Sequence, residues 1–229
     1  MKTAVIIAAA GIGRRMNAGM PKQYLELCSR PVICHTLDLF SKLGIDETII
    51  AVEPGRMVSF IQEIIDPFGY SKSWKIVAGG DVRQGSVANA LAAVSGDVEV
   101  VLVHDGVRPF VTPTRIELLM QTAFEKGACI LAERIKDTIK RVKDGVIIET
   151  VDRTELWAAG TPQAFRREIL EDAMRSAFET GFVGTDEAGL VERIGKEVYI
   201  VEGDGRNVKI TTPADLILAE AILKEMKTK

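Results

Sequence analysis

Ala4-Val5-Ile6-Ile7-Ala8-Ala9-Ala10-Gly11-Ile12-Gly13-Arg14-Arg15-Met16 is the stretch on which the fold turns. Seven apolar residues run without interruption and stop at glycine, too soon for a membrane span. A continuous Val- and Ile-containing run of this length reads as a strand buried on both faces. Outward from it, short apolar runs alternate with longer amphipathic segments. A helix is expected from Ile33 to Leu43, a strand at 47–52, a helix from Met57 to Ile65 and a strand at 75–77. A helix at 86–94, a strand at 98–103 and a helix at 113–126 follow. That alternation implies βαβ units, and so an α/β, Rossmann-like, mostly parallel sheet with helices on both faces. Val98-Glu99-Val100-Val101-Leu102-Val103 is the most apolar run and is expected at the centre of the sheet.

Between 136 and 157 the texture changes. Residues 137–142 and 146–151 flank Lys143-Asp144-Gly145, a hairpin signal, and predict an antiparallel β-arm, inserted at 136–157 and grafted onto the sheet. Helices at 167–180 and 186–194, a strand at 198–202 and a helix at 213–227 complete the pattern. With no internal repeat or linker, 1–229 is expected to form a single domain carrying the arm.

The chain has 229 residues, 47% apolar and 27% charged, with a formal net charge of −3. That balance excludes a strongly basic nucleic-acid-binding protein, so any phosphate site must come from local clustering. Cys28, Cys34 and Cys129 lack metal-ligand spacing, and only His35 and His104 accompany them, which argues against a zinc site. No signal-peptide order or membrane span is seen, and a cytoplasmic location is expected.

Glycines at 11 and 13 let backbone N–H groups approach phosphate oxygens at the carboxyl edge of the sheet, and Arg15 and Lys22 add cationic charge. The dinucleotide fingerprint would need glycine or alanine where Met16 stands, and the Walker Gly-Lys-Ser/Thr is absent. Strand, Gly-x-Gly-x-Arg-Met and Pro21-Lys22-Gln23 together resemble the signature of the sugar-phosphate nucleotidyltransferases. Within them the chain is most similar to the 2-C-methyl-D-erythritol 4-phosphate cytidylyltransferases of the non-mevalonate isoprenoid pathway, along nearly its whole length.

The resemblance implies a transfer of a cytidylyl group from CTP to a sugar-alcohol phosphate. It implies CTP contacts at Ala9, Ala10, Gly11, Gly13, Gly80, Asp81 and Ser86, and catalytic cations at Arg15, Lys22 and Lys209. It also implies Mg²⁺ on Asp105 and an acceptor site from Arg108, Thr138, Arg153 and Thr161. The arms of two subunits would interlock in a homodimer, Thr138 and Arg153 reaching the partner's site. On local grounds alone, Gly79-Gly80 and Ser86 read first as a turn and a helix N-cap, and Thr212-Pro213 reads also as a helix start. Gly85, Gly106-Val107 and Gly189 depart from the family pattern. His104 is expected to be a positioned structural residue. A phosphate monoester with a second pKa near ~6 is already a dianionic nucleophile, so no general base is required.

Two other readings stand beside this one. Ribitol 5-phosphate cytidylyltransferase shares the donor and the loop but resembles Asp137-Thr138-Ile139-Lys140 and Leu156-Trp157 less. A noncatalytic nucleotide-binding module could use the same scaffold.

Overall fold

A computed structural model describes residues 1–11, 20–71 and 73–227. Gly13 and Arg15 lie outside the described residues. The strands are β1 (Thr3–Ala9), β2 (Glu47–Val52), β3 (Lys75–Ala78), β4 (Val100–Asp105), β5 (Ala128–Arg134), β6 (Ile139–Lys143), β7 (Val146–Val151), β8 (Trp157–Arg166) and β9 (Tyr199–Glu202). The α-helices are α1 (Val32–Ser41), α2 (Met57–Phe60), α3 (Arg83–Ala92), α4 (Pro113–Lys126), α5 (Arg167–Glu179), α6 (Glu187–Arg193) and α7 (Pro213–Lys227). Seven strands form one sheet in the order β3-β2-β1-β4-β8-β5-β9, while β6 and β7 pair apart from it. Only β8 runs against the others, antiparallel to both β4 and β5.

Successive side chains of a strand point to opposite faces, so an uninterrupted apolar run feeds two cores at once. Val5, Ile7, Ile50 and Leu102 pack against Leu37 and Phe40 of α1 and Leu119 of α4. Ala4, Ile6, Ile49, Val101 and Val103 pack against Val87 of α3 and Leu170 and Met174 of α5. β4 is the central strand, as its composition predicts, and all six of its residues are buried. Cys34 and Cys129 lie in the core and Cys28 on the surface.

The expected strand at 98–103 falls two residues further on, so that Asp105 is its last residue. The helix expected from Met57 to Ile65 is a short α-turn that widens into a π-helical turn at Ile61–Ile65. The helix expected from Ser86 begins at Arg83. Ser86 therefore does not cap it from outside; its Oγ accepts the Gly80 N–H at 3.0 Å and donates to the Val82 carbonyl at 3.2 Å. The helix start at Thr212 is found: its Oγ1 accepts the Asp215 N–H at 3.3 Å, and the Asp215 carboxylate accepts the Thr212 N–H at 2.8 Å. The hairpin signal marks a real turn, with Asp144 and Gly145 both in the left-handed region.

Candidate active site

The carboxyl ends of β1, β2 and β4 open onto a cavity of about 570 Å³. Ala9, Ala10, Gly11, Lys22, Gly80, Asp81, Ser86, Asp105 and Lys209, nine of the residues singled out in the sequence, line it together. Each is placed by a local device. Gln23 is buried and donates to the Ala9 carbonyl at 2.7 Å, which docks the Lys22–Tyr24 turn onto the end of β1. Gly79 donates to the Val52 carbonyl at 2.7 Å, and a Cβ on it would strike Ala10. A Cβ on Gly80 would lie 2.9 Å from the Gly85 carbonyl carbon. Loop and helix start can therefore approach only as glycines. Lys209 is held beside β4 because its neighbour Ile210 is fully buried and donates to the Val107 carbonyl at 3.0 Å.

Asp105 sits on the cavity floor, 5% exposed. Lys209 Nζ lies 2.8 Å and Arg108 Nε 3.3 Å from its Oδ2, while Arg83 Nε lies 3.3 Å from its Oδ1. Burial alone would raise this carboxyl; Arg83, Lys209 and Arg108 outweigh it and hold the group well below the usual carboxylate range. Among the described residues no group of three or more His, Cys, Asp or Glu side chains could enclose a metal. One ionised carboxylate nevertheless fits Mg²⁺, which takes one or two carboxylates and completes its shell with substrate phosphates and water.

Behind Asp105 lies a ring of hydrogen bonds. The backbone carbonyl of Arg108 can only accept, so His104 Nε2, 2.9 Å away, donates to it. With the ring neutral, Nδ1 accepts from the Thr161 hydroxyl at 3.1 Å, and that oxygen accepts the Asp105 N–H at 3.1 Å. Burial pushes the His104 pKa down to about 4, consistent with the neutral ring. Thr161, expected as an acceptor contact, is joined here to His104 and to the Asp105 backbone.

Arg108 reaches the floor through Asp105 and donates to the Asn207 carbonyl at 2.8 Å. Thr138 and Arg153 are exposed on the arm and do not line the cavity; Arg153 donates to the Lys136 carbonyl beside it. Sequence reading missed Arg83 and its partner Glu187. Arg83 lines the cavity and is forked onto Glu187, 2.7 and 2.8 Å from its two oxygens. The pairing spans 104 residues, which no local spacing signals.

A mostly parallel sheet whose carboxyl edge carries glycine-lined backbone, lysines and one central carboxylate is the build of a nucleotidyltransferase. The chain belongs to the 2-C-methyl-D-erythritol 4-phosphate cytidylyltransferase family (IspD), whose model matches residues 3–225. The enzyme of that name from Geobacillus kaustophilus is 46% identical over 227 residues, 97% of either chain, and that from Bacillus pumilus is 46% identical over 221 residues, 96% of either. Among solved structures, the 4-diphosphocytidyl-2C-methyl-D-erythritol synthase of Anaerococcus prevotii superposes with a TM-score of 0.85 at 32% identity, covering 97% of this chain and 96% of that one. The cytidylyltransferase of Thermus thermophilus gives 0.82 at 31% identity, covering 98% and 100%.

Proposed function

We propose that this chain transfers the cytidylyl group of CTP to 2-C-methyl-D-erythritol 4-phosphate, releasing pyrophosphate and forming 4-diphosphocytidyl-2-C-methyl-D-erythritol. The observation that carries the reading is the cavity itself, where glycine-lined backbone, two lysines and an ionised aspartate converge. Such a site suits two anionic substrates that need alignment and charge neutralisation. Gly80, Asp81 and Ser86 would receive the nucleoside, and Ala9, Ala10 and Gly11 the phosphates, with Gly13 and Arg15 assigned by resemblance. Lys22 and Lys209 would stabilise charge developing at the α-phosphorus as the acceptor's phosphate oxygen attacks and pyrophosphate leaves.

Asp105 would hold Mg²⁺ together with triphosphate oxygens, the phosphates giving Lys209 and Arg108 new partners. The metal would supply neutralisation of triphosphate charge. Arg108 would grip the acceptor phosphate, joined by Thr138 and Arg153 of a second subunit. The homodimer is supported by the arm, where Val142, Val146, Ile147 and Ile148 are 54–67% exposed. A two-stranded hairpin is marginal alone, and such an apolar face calls for a cover. A cytoplasmic location fits the finding that no described helix is long and apolar enough to cross a membrane.

Pyrophosphate release from CTP and Mg²⁺, with methylerythritol 4-phosphate and ribitol 5-phosphate run side by side, tests the reading. Selective turnover of the first is expected. Preference for the second moves the acceptor, and silence with both points to a noncatalytic binding module.

A further inference from the structure

Three cations hold Asp105, and they are not equivalent. Lys209 and Arg108 approach Oδ2 from the segment before α7 and the loop after β4; the Lys209 side chain is 36% exposed, and the second bond of Arg108 is to a backbone carbonyl, that of Asn207, not to a second carboxylate. Arg83 is different. It sits at the first turn of α3, holds Oδ1 through Nε and is forked through Nη1 onto Glu187. Glu187 is 1% exposed, and Arg83 is the cation paired with it among the described residues.

Leaving Glu187 would strand a buried charge, which is strongly unfavourable. Glu187 is itself fixed: Asp186 caps α6 by accepting the Gly189 N–H at 3.1 Å and also accepts from Gln163 Nε2 at 2.8 Å. Gln163 of β8 in turn accepts the Ala188 N–H at 3.0 Å. The tether thus runs from the central sheet through α6 to the cavity floor.

We infer that Arg83, anchored by Glu187, is the positioning residue that keeps the Asp105 carboxylate in place when substrate phosphates draw Lys209 and Arg108 away from it. Holding Oδ1 fixes rotation of the carboxylate about its last bond, and with it the direction in which Oδ2 faces the nucleotide. Arg83 also starts the helix that follows the Gly79-Gly80 loop, so the nucleoside loop and Asp105 share one anchor.

The inference rests on the cytidylyl-transfer reading, and the test separates the two. Pyrophosphate release and calorimetric CTP binding are measured for the wild type, Arg83→Lys, Glu187→Gln, Asp105→Asn and the Arg83→Lys/Asp105→Asn double variant, with thermal unfolding as the check on folding. Lysine keeps the charge but replaces the rigid planar guanidinium, which sets Nε on Asp105 and Nη1 on Glu187, with one flexible ammonium. Arg83→Lys is expected to lower kcat by about tenfold or more while the Kd for CTP moves less than about threefold. In the Asp105→Asn background the same substitution is expected to add less than about twofold, because its effect passes through Asp105.

A kcat within about twofold of wild type, or full multiplication of the two effects, overturns the inference. Glu187→Gln keeps the shape of the pair and covers the case in which Arg83→Lys does not fold. It is expected to lower kcat by about threefold to tenfold, and an unchanged kcat there overturns the tether. A wild type that releases no pyrophosphate overturns the functional reading instead.

Discussion

The Asp105 carboxylate keeps its charge although nearly buried, because the three side chains paired with it, Arg83, Arg108 and Lys209, are all cationic. The floor of the cavity is therefore neutralised from below and open to phosphate from above. Lys22 is the cation expected to matter most to turnover: Lys22→Ala should lower kcat on the order of a hundredfold, measured by pyrophosphate release, and near-normal turnover would remove it from the chemistry. Thr161 works on the other side of Asp105. Thr161→Val leaves the Asp105 N–H and His104 Nδ1 without partners, and should cost about 2 kcal/mol or more in urea unfolding, with Thr161→Ser recovering most of it. A loss under about 0.5 kcal/mol would mean the ring of hydrogen bonds contributes nothing. At this scale the sequence was legible for position: Asp105 at the end of β4 and Lys22 on the turn docked against β1 both line the cavity. The partners of Arg83 and Thr161 were not legible, because they come from other elements and are chosen by three-dimensional proximity.

Between elements, the edges of the sheet are tied by charge. Glu47 at the start of β2 accepts from Lys75 Nζ of β3 at 2.9 Å and from the Ser95 N–H at 3.1 Å. Burial would raise its carboxyl, but Ser95 and Lys75 bring it down to about 2 from 4.5. The folded chain thus resists a proton that the unfolded chain accepts, so this stabilisation is present above pH 4.5 and lost as pH falls towards 2. The wild type should lose more of its urea stability over that window than Glu47→Gln does. Equal slopes would show the carboxylate to be unpaired in solution. The nucleoside loop is an element-level device too: Gly80→Ala sets a Cβ against the backbone of Gly85, and should weaken CTP binding about tenfold by calorimetry. Wild-type affinity would show that the loop yields.

The helices at 113–126 and 213–227 and the strand at 47–52 were legible to the residue, since their periodicity and end signals agree. β5 and β8 were not recognised as strands. Five apolar residues after Gly127 fit helix or strand, and Gly160 and Pro162 argue against a strand interior. Pro162 is accommodated where the β5–β8 register shifts between Ile130 and Ala132, three residues of β8 standing opposite one of β5.

For the molecule as a whole, the proposed homodimer rests on the exposed apolar arm. Ile147→Asp should yield a monomer by sedimentation and a large loss of pyrophosphate release, the two falling together if the arms of two subunits share sites. An active monomer would show each site to be complete alone.

The one reversed strand has a mechanical consequence. The arm leaves the sheet from the end of β5 and returns into β8, and only four residues after its first position, Trp157, β8 reaches Thr161, whose oxygen holds the backbone of Asp105. The arm is a lever whose fulcrum is the floor of the cavity. Whatever grips its tip loads the strand that seats the carboxylate, so grip and chemistry run along one piece of chain.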